Sequence, residues 1–203
     1  SKGNQKAISI TAFGIQGEIE LRRNACKSGD VILTTGIHGL SKLGFLIKNK
    51  IYFDNDISLN KRLISKSIEH FCRPKVYPNF LKNLIKTRSN KKIKRIGCTD
   101  SSDGLFQALQ DLASASKCKA IINYEKIPKD KDWPRGNKWD EYYFFGGEDY
   151  ELVFSLPKKW AKNLTKLDKE INEIGFFTDG EPSIEFKDSK KNKLLEITPF
   201  KHF

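Results

Sequence analysis

Methionine is missing from all 203 residues, the first included, and the chain opens at Ser1. Such a start reads as a piece cut from a longer product or a partial gene. Removal of an initiator methionine ahead of Ser1 is the ordinary alternative. Cysteine is sparse: Cys26, Cys72, Cys98 and Cys118 form no C-x-x-C pair. That spacing does not resemble a zinc site or a disulfide scaffold, and the four read as reduced thiols in the cytoplasm. His38, His70 and His202 are scattered without a metal-ligand spacing, so each reads as structural or surface. No apolar run approaches the roughly 18 residues needed to cross a bilayer, and no basic-then-apolar leader opens the chain. Membrane insertion and export are therefore not expected. Repeats and low-complexity segments are absent too.

What remains is 38% hydrophobic and 31% charged, enough for one sizeable globular domain over residues 1–203. The net charge of +12 raises nucleic acid as a partner. The basic residues, however, are 30 Lys against 7 Arg, and Arg is the usual fork for bases and phosphates. The lysine-rich runs, Lys86 to Arg95 and Lys187 to Lys193, fall where loops are expected. Solvated surface is the better reading than a nucleic-acid site.

Apolar periodicity predicts strands over Ala7–Phe13, Val31–Thr35, Ile93–Cys98, Ala120–Tyr124, Tyr150–Leu156, Phe176–Phe186 and Lys193–Ile197. It predicts helices over Gly39–Lys48, Leu59–Phe71, Pro78–Lys86 and Lys158–Ile174. Another follows the acidic run at 100–103, where Leu105, Phe106, Leu109, Leu112 and Ala113 form one apolar stripe. Lys126–Asp140, with two prolines and Gly136, reads as an exposed loop. Strands and helices mix without a strict βαβ beat, so the fold class is α+β, a mixed sheet packed with helices.

Two runs carry the chemistry. Asp100-Ser101-Ser102-Asp103-Gly104 places two carboxylates and two hydroxyls directly before a helix. A helix N-terminus attracts phosphate, and carboxylates there would repel it unless a hard cation intervened. Mg²⁺ binds one or two carboxylates and completes its shell with phosphate oxygens, which points to phosphoryl transfer. The competing reading is a helix cap, since Ser and Asp are preferred N-caps. The residues alone leave both open. An EF-hand is excluded by the position of the glycine and the spacing of the acids. The second run, Gly146-Gly147-Glu148-Asp149-Tyr150-Glu151-Leu152, reads alone as a turn entering a strand. Tyr142, Tyr143, Phe144 and Phe145, just ahead of it, read as core. Gly36-Ile37-His38-Gly39 reads as a tight strand-to-helix turn, without the Lys-Ser/Thr of a Walker loop. Arg23 alone reads as surface.

In their order and spacing these runs resemble the C-terminal half of the thiamine-monophosphate kinase family. Ser9–Gly14, Arg23 with Gly29-Asp30-Val31 and Thr35-Gly36, Arg73-Pro74, Asp100–Leu105, Gly146–Leu152 and Phe200-Lys201-His202-Phe203 carry the resemblance. It implies an enzyme of the aminoimidazole-ribonucleotide-synthetase-like superfamily, a C-terminal domain whose N-terminal ATP-binding half is absent here. It implies ATP and thiamine monophosphate as substrates, Mg²⁺ as cofactor and a homodimer built through that other half. By position, Asp100 and Asp103 would hold Mg²⁺ and Arg23 and Ser102 would contact ATP. Glu148 and Ile197 would contact the thiamine substrate, Glu148 balancing the thiazolium charge. The chain departs from the family at Gly39-Leu40-Ser41, which lacks an acid, at Ile197, where an aromatic is usual, and at Pro199, where Gly is common. A sister ATP-using enzyme, of the selenophosphate-synthetase or hydrogenase-maturation type, is the nearest alternative. A basic RNA-binding module is the alternative from another class.

Overall fold

The computed structural model describes residues 8–51 and 59–188. Its strands and helices are, in chain order, β1 Glu20–Arg22, β2 Val31–Thr35, α1 Leu40–Lys48, α2 Lys61–Cys72, α3 Phe80–Thr87, β3 Arg95–Asp100, α4 Leu105–Ser116, β4 Lys119–Ile122, α5 Asn137–Phe145, β5 Leu152–Leu156, α6 Lys158–Leu167, β6 Ile171–Thr178 and β7 Ser183–Phe186. The strands form one seven-stranded sheet in the order β1-β3-β5-β2-β6-β4-β7. The β1–β3 and β4–β7 pairs are parallel and the other four antiparallel. This is the α+β class expected.

Strand alternation assigns the two faces. Val31, Leu33, Phe154 and Leu156 point to a layer made by α3 and α6, where Phe80, Leu84, Trp160 and Leu164 are buried. Ile32 and Val153 point the opposite way, into a layer holding Leu43, Leu63, Leu109, Leu112 and Phe144 from α1, α2, α4 and α5. The sheet is thus a filling between two helical layers.

Several expectations need correction. The described part of the predicted first strand, Ile8–Phe13, joins no ladder, and Ile8, Ile10 and Phe13 are exposed. Alternation makes a pleat possible, but a strand exists only with a partner. The first paired strand is instead Glu20–Arg22. The expected loop Lys126–Asp140 gives way to α5 from Asn137, because Trp139, Tyr143, Phe144 and Phe145 have core to fill. The helix predicted over Lys158–Ile174 stops at Leu167, where Asp168 turns extended and the chain enters β6. The expected strand Phe176–Phe186 is two strands, broken at Gly180, whose φ is +138°. The predicted strand Tyr150–Leu156 begins only at Leu152, after Tyr150 in left-handed conformation. Lys193–Ile197 and the Phe200–Phe203 end lie outside the described residues. Among the described residues no helix is long and apolar enough to cross a membrane.

Candidate functional site

The register brings the two sequence runs to one end of the sheet. Asp100, the last residue of β3, stands opposite Leu152, the first of β5, and Leu152 donates its N–H to Thr35 Oγ1 at the end of β2 (2.8 Å). Past these strand ends the chain forms two loops tied backbone to backbone. Ser101 N–H donates to Glu151 O (2.8 Å) and Glu148 N–H to Ser102 O (2.7 Å). Glu151 N–H returns a bond to Ser101 Oγ (3.1 Å). Gly104 sits at φ +94°, and a Cβ there would stand 2.9 Å from Gly146 O, so glycine permits this approach.

The N-cap of α4 is that glycine. None of Asp100, Ser101, Ser102 and Asp103 occupies the cap position, and Ser101 is engaged with Glu151 instead. The run therefore supplies no Ser or Asp at the N-cap position of α4. The two carboxylates, Asp100 and Asp103, converge with Glu148. The phenol of Tyr150 donates to Glu148 Oε2 (2.8 Å). That bond first, then burial and the negative charges of Glu148, Asp100 and Asp103, raise its pKa. Arg23, in a short 3-10 helix after β1, reaches the same strand end: Nε donates to Thr99 Oγ1 (3.1 Å), and Nη1 lies 3.3 Å from Asp111 Oδ2. Five predicted positions, Arg23, Asp100, Ser102, Asp103 and Glu148, thus share one end of the molecule. Ile197 lies outside the described residues.

Beneath this surface is a polar cluster that sequence reasoning missed. Asp149, fully buried, accepts the N–H groups of Gly39 (2.6 Å) and Ser41 (2.9 Å) at the start of α1. It supplies, from across the chain, the anion that this helix N-terminus wants. Glu151 accepts from Thr35 Oγ1 and from the Tyr77 hydroxyl, both at 2.5 Å. His70, on α2, sits between them, with Nδ1 at 3.7 Å from Asp149 and Nε2 at 3.5 Å from Glu151. Burial pushes the Asp149 carboxyl up to about 7 against the pull of the two N–H donors. Burial also acts to raise Glu151, but bonds from His70, Thr35 and Tyr77 outweigh it and its pKa falls. Ser41 Oγ lies 3.0 Å from His70 Nδ1. This is no catalytic triad, because Ser41 and Asp149 approach the same ring nitrogen and Ser41 is fully buried. No local signal could have revealed the cluster. His70 and Tyr77 come near Glu151 only through packing of segments more than 70 residues apart.

Among the described residues no three His, Cys, Asp or Glu side chains gather as a metal cage. Two carboxylates, one at the end of β3 and one in the loop that follows, fit Mg²⁺, which keeps waters and takes phosphate oxygens, better than a metal needing a closed protein shell. The cysteines are free, and Cys26, Cys98 and Cys118 are buried. His38 is also buried. It pairs with Thr34 Oγ1 (2.7 Å), and burial lowers its pKa to about 4, so it is a neutral core residue.

A thiamine-monophosphate kinase of Prochlorococcus marinus is 34% identical over the whole chain, and one of Buchnera aphidicola (subsp. Schizaphis graminum) is 32% identical over 97% of it. The chain spans 61% and 60% of their respective lengths. The solved structure described as AaThiL complexed with AMPPCP and TMP superposes with a TM-score of 0.66 and 26% identity, over 89% of this chain and 53% of that one. A thiamine-monophosphate kinase of Stenotrophomonas maltophilia also superposes at 0.66, with 21% identity, over 82% of this chain and 52% of that one, and shows the shared fold. Residues 27–187 match the family described as AIR synthase related protein, C-terminal domain, and the chain belongs to that family.

Proposed function

We propose that this chain is the C-terminal part of a thiamine-monophosphate kinase, which transfers the γ-phosphoryl group of ATP to thiamine monophosphate. The observation that carries this reading is the convergence of Asp100, Asp103 and Glu148 on one rim, with Arg23 beside it. In this reading residues 1–203 form a single domain, and the ATP-binding half and the dimer contacts belong to the remainder of the enzyme. Its reaction belongs in the cytoplasm, where ATP is available.

Phosphoryl transfer asks the protein for alignment and charge neutralisation more than for covalent help. Asp100 and Asp103 are the residues that would hold Mg²⁺. Bound there, the ion supplies charge neutralisation between two phosphate groups that otherwise repel. Arg23 and Ser102 would orient the ATP phosphates, with Arg23 steadied by Thr99 and Asp111. The Glu148 carboxylate would face the cationic thiazolium, fixed by the Tyr150 hydroxyl and by its own N–H on Ser102. Such an arrangement lets one loop hold the metal and the next the acceptor.

The test is a coupled ADP-release assay on the enzyme that carries this chain together with its other half. Asp103→Asn should cut turnover by about 10² or more, as expected when a charge-stabilising group is lost. Near-normal turnover by the variant would remove the assigned role. The 203 residues by themselves should show little turnover; full activity from them would contradict the two-part reading.

A further inference from the structure

The loop that carries Glu148 has two faces. From 148 to 151 its side chains alternate. Glu148 and Tyr150 meet each other at the rim (2.8 Å), while Asp149 and Glu151 turn inward and are buried. The outward pair carries the strain: Glu148 and Tyr150, neither of them glycine, sit at φ +67° and +55°. Such conformations persist only where the surroundings over-determine them. The hold comes from beneath. Asp149 fastens the loop to the start of α1 through Gly39 and Ser41. Glu151 fastens it to Thr35 at the end of β2 and to Tyr77 ahead of α3, both through Oε2. His70, on α2, faces both carboxylates, with Nδ1 toward Asp149 (3.7 Å) and Nε2 toward Oε1 of Glu151 (3.5 Å). Burial disfavours charge on both carboxyls, and His70 opposes that push on both. The ring is itself firmly placed. A Cβ on Gly44 would overlap Ser67 O, so α1 and α2 touch main chain to main chain about one turn before His70. Phe71 packs edge-on against Phe45 of α1 (5.7 Å).

We propose that His70 is a positioning residue: by bridging Asp149 and Glu151 it holds the 148–150 turn so that the Glu148 carboxylate faces the acceptor. The inference rests on the kinase reading for what Glu148 meets, and on geometry alone for how the turn is held. His70 touches no reacting group. A space-filling role would need only a side chain of similar bulk, whereas this one needs polar nitrogen toward the carboxylates.

The test uses the whole enzyme that carries this chain. His70→Leu keeps bulk and removes both nitrogens, and His70→Gln keeps a polar amide there. In His70→Leu, hydrogen exchange at the amides of Glu148 and Glu151, measured without substrates, should speed at least about tenfold. Its KM for thiamine monophosphate should rise about tenfold while KM for ATP stays within about twofold. His70→Gln should recover most of both changes. A cleft of about 390 Å³, lined by Gly36, His70, Tyr77 and Glu151 among others, opens beside the ring. Imidazole can enter there and should bring exchange in His70→Ala back toward the parent rate. Unchanged exchange in His70→Leu, equal effects of Leu and Gln, or equal rises in the two KM values would overturn the proposal. Should His70→Leu not fold, failure of imidazole to slow exchange in His70→Ala overturns it instead. The kinase reading fails separately, as absence of ADP release dependent on thiamine monophosphate in the parent enzyme, whereas the exchange measurement needs no activity.

Discussion

Gly36 shows how much a single residue governs here. It sits at φ +52°, and a Cβ would collide with the Glu151 carboxylate. Gly36→Ala should cost at least about 2 kcal/mol, from the left-handed backbone and the displaced carboxylate together, measured by urea unfolding. Two of the buried ionisable groups, His38 and Asp149, act on stability in opposite directions. His38 has a folded pKa of about 4 against an ordinary 6.5, so the unfolded chain binds the extra proton in that window. Its contribution lowers stability as pH falls from 6.5 to 4, by about 3 kcal/mol in all. Asp149 has a folded pKa of about 7 against 3.8, so the folded chain binds the extra proton, and its contribution lowers stability as pH rises through that range. His38→Gln should therefore hold its stability better than the parent on going from pH 6.5 to 4, in parallel denaturation series. An equal pH slope in the two proteins would contradict this. Asp100 and Asp103 stood out in the sequence because they are near neighbours in the chain and no single cap needs four polar residues, whereas Glu148 stood out only through the family resemblance. His70, Thr35 and Tyr77 did not, because nothing local distinguishes a histidine that will face two carboxylates from one facing water.

Among the elements, α5 departs most from expectation and matters most to the rim. Prolines and a glycine made its segment look like loop, yet from Asn137 onward the aromatics find partners. Phe144 packs edge-on against Phe106 at 5.8 Å and tilted on Phe186 at 5.1 Å. Phe145 meets Phe106 at 5.0 Å. Phe106 is the second residue of α4, so this helix braces the turn that follows the acidic loop. Phe144→Ala, at a fully buried position, should lose about 3–5 kcal/mol in chemical unfolding. A loss below about 1 kcal/mol would show that the helix is not needed there. Helices α1 to α4 could be read because their apolar stripes repeat at helical spacing. The end of α6 could not, since Ile171 and Ile174 continue that spacing by coincidence while the backbone is already extended. Likewise the alternation of Ile8 and Ile10 suggested a ladder that only a neighbouring strand could supply.

Over the whole molecule the excess of +12 is the dominant long-range property. Much of it lies in lysines dispersed over the surface, several with acidic partners, among them Lys66 with Asp130 and Lys119 with Glu185. Dispersed lysines attract polyanions without reading them. Retention of RNA on a filter should accordingly fall by at least about 10² between roughly 50 and 200 mM salt. Tight, salt-resistant retention would favour the RNA-binding alternative.

The paired loops at the end of the sheet have one more implication. They are fastened largely through main-chain atoms, with Ser101 Oγ accepting from Glu151 N–H, and through glycines lying against main chain, and Asp100, Asp103 and Glu148 are carried on that frame. Chemistry and architecture are therefore separable at this rim: a library randomised at 103 and 148 should yield mostly folded proteins, and a new acceptor specificity could be sought there without rebuilding the scaffold.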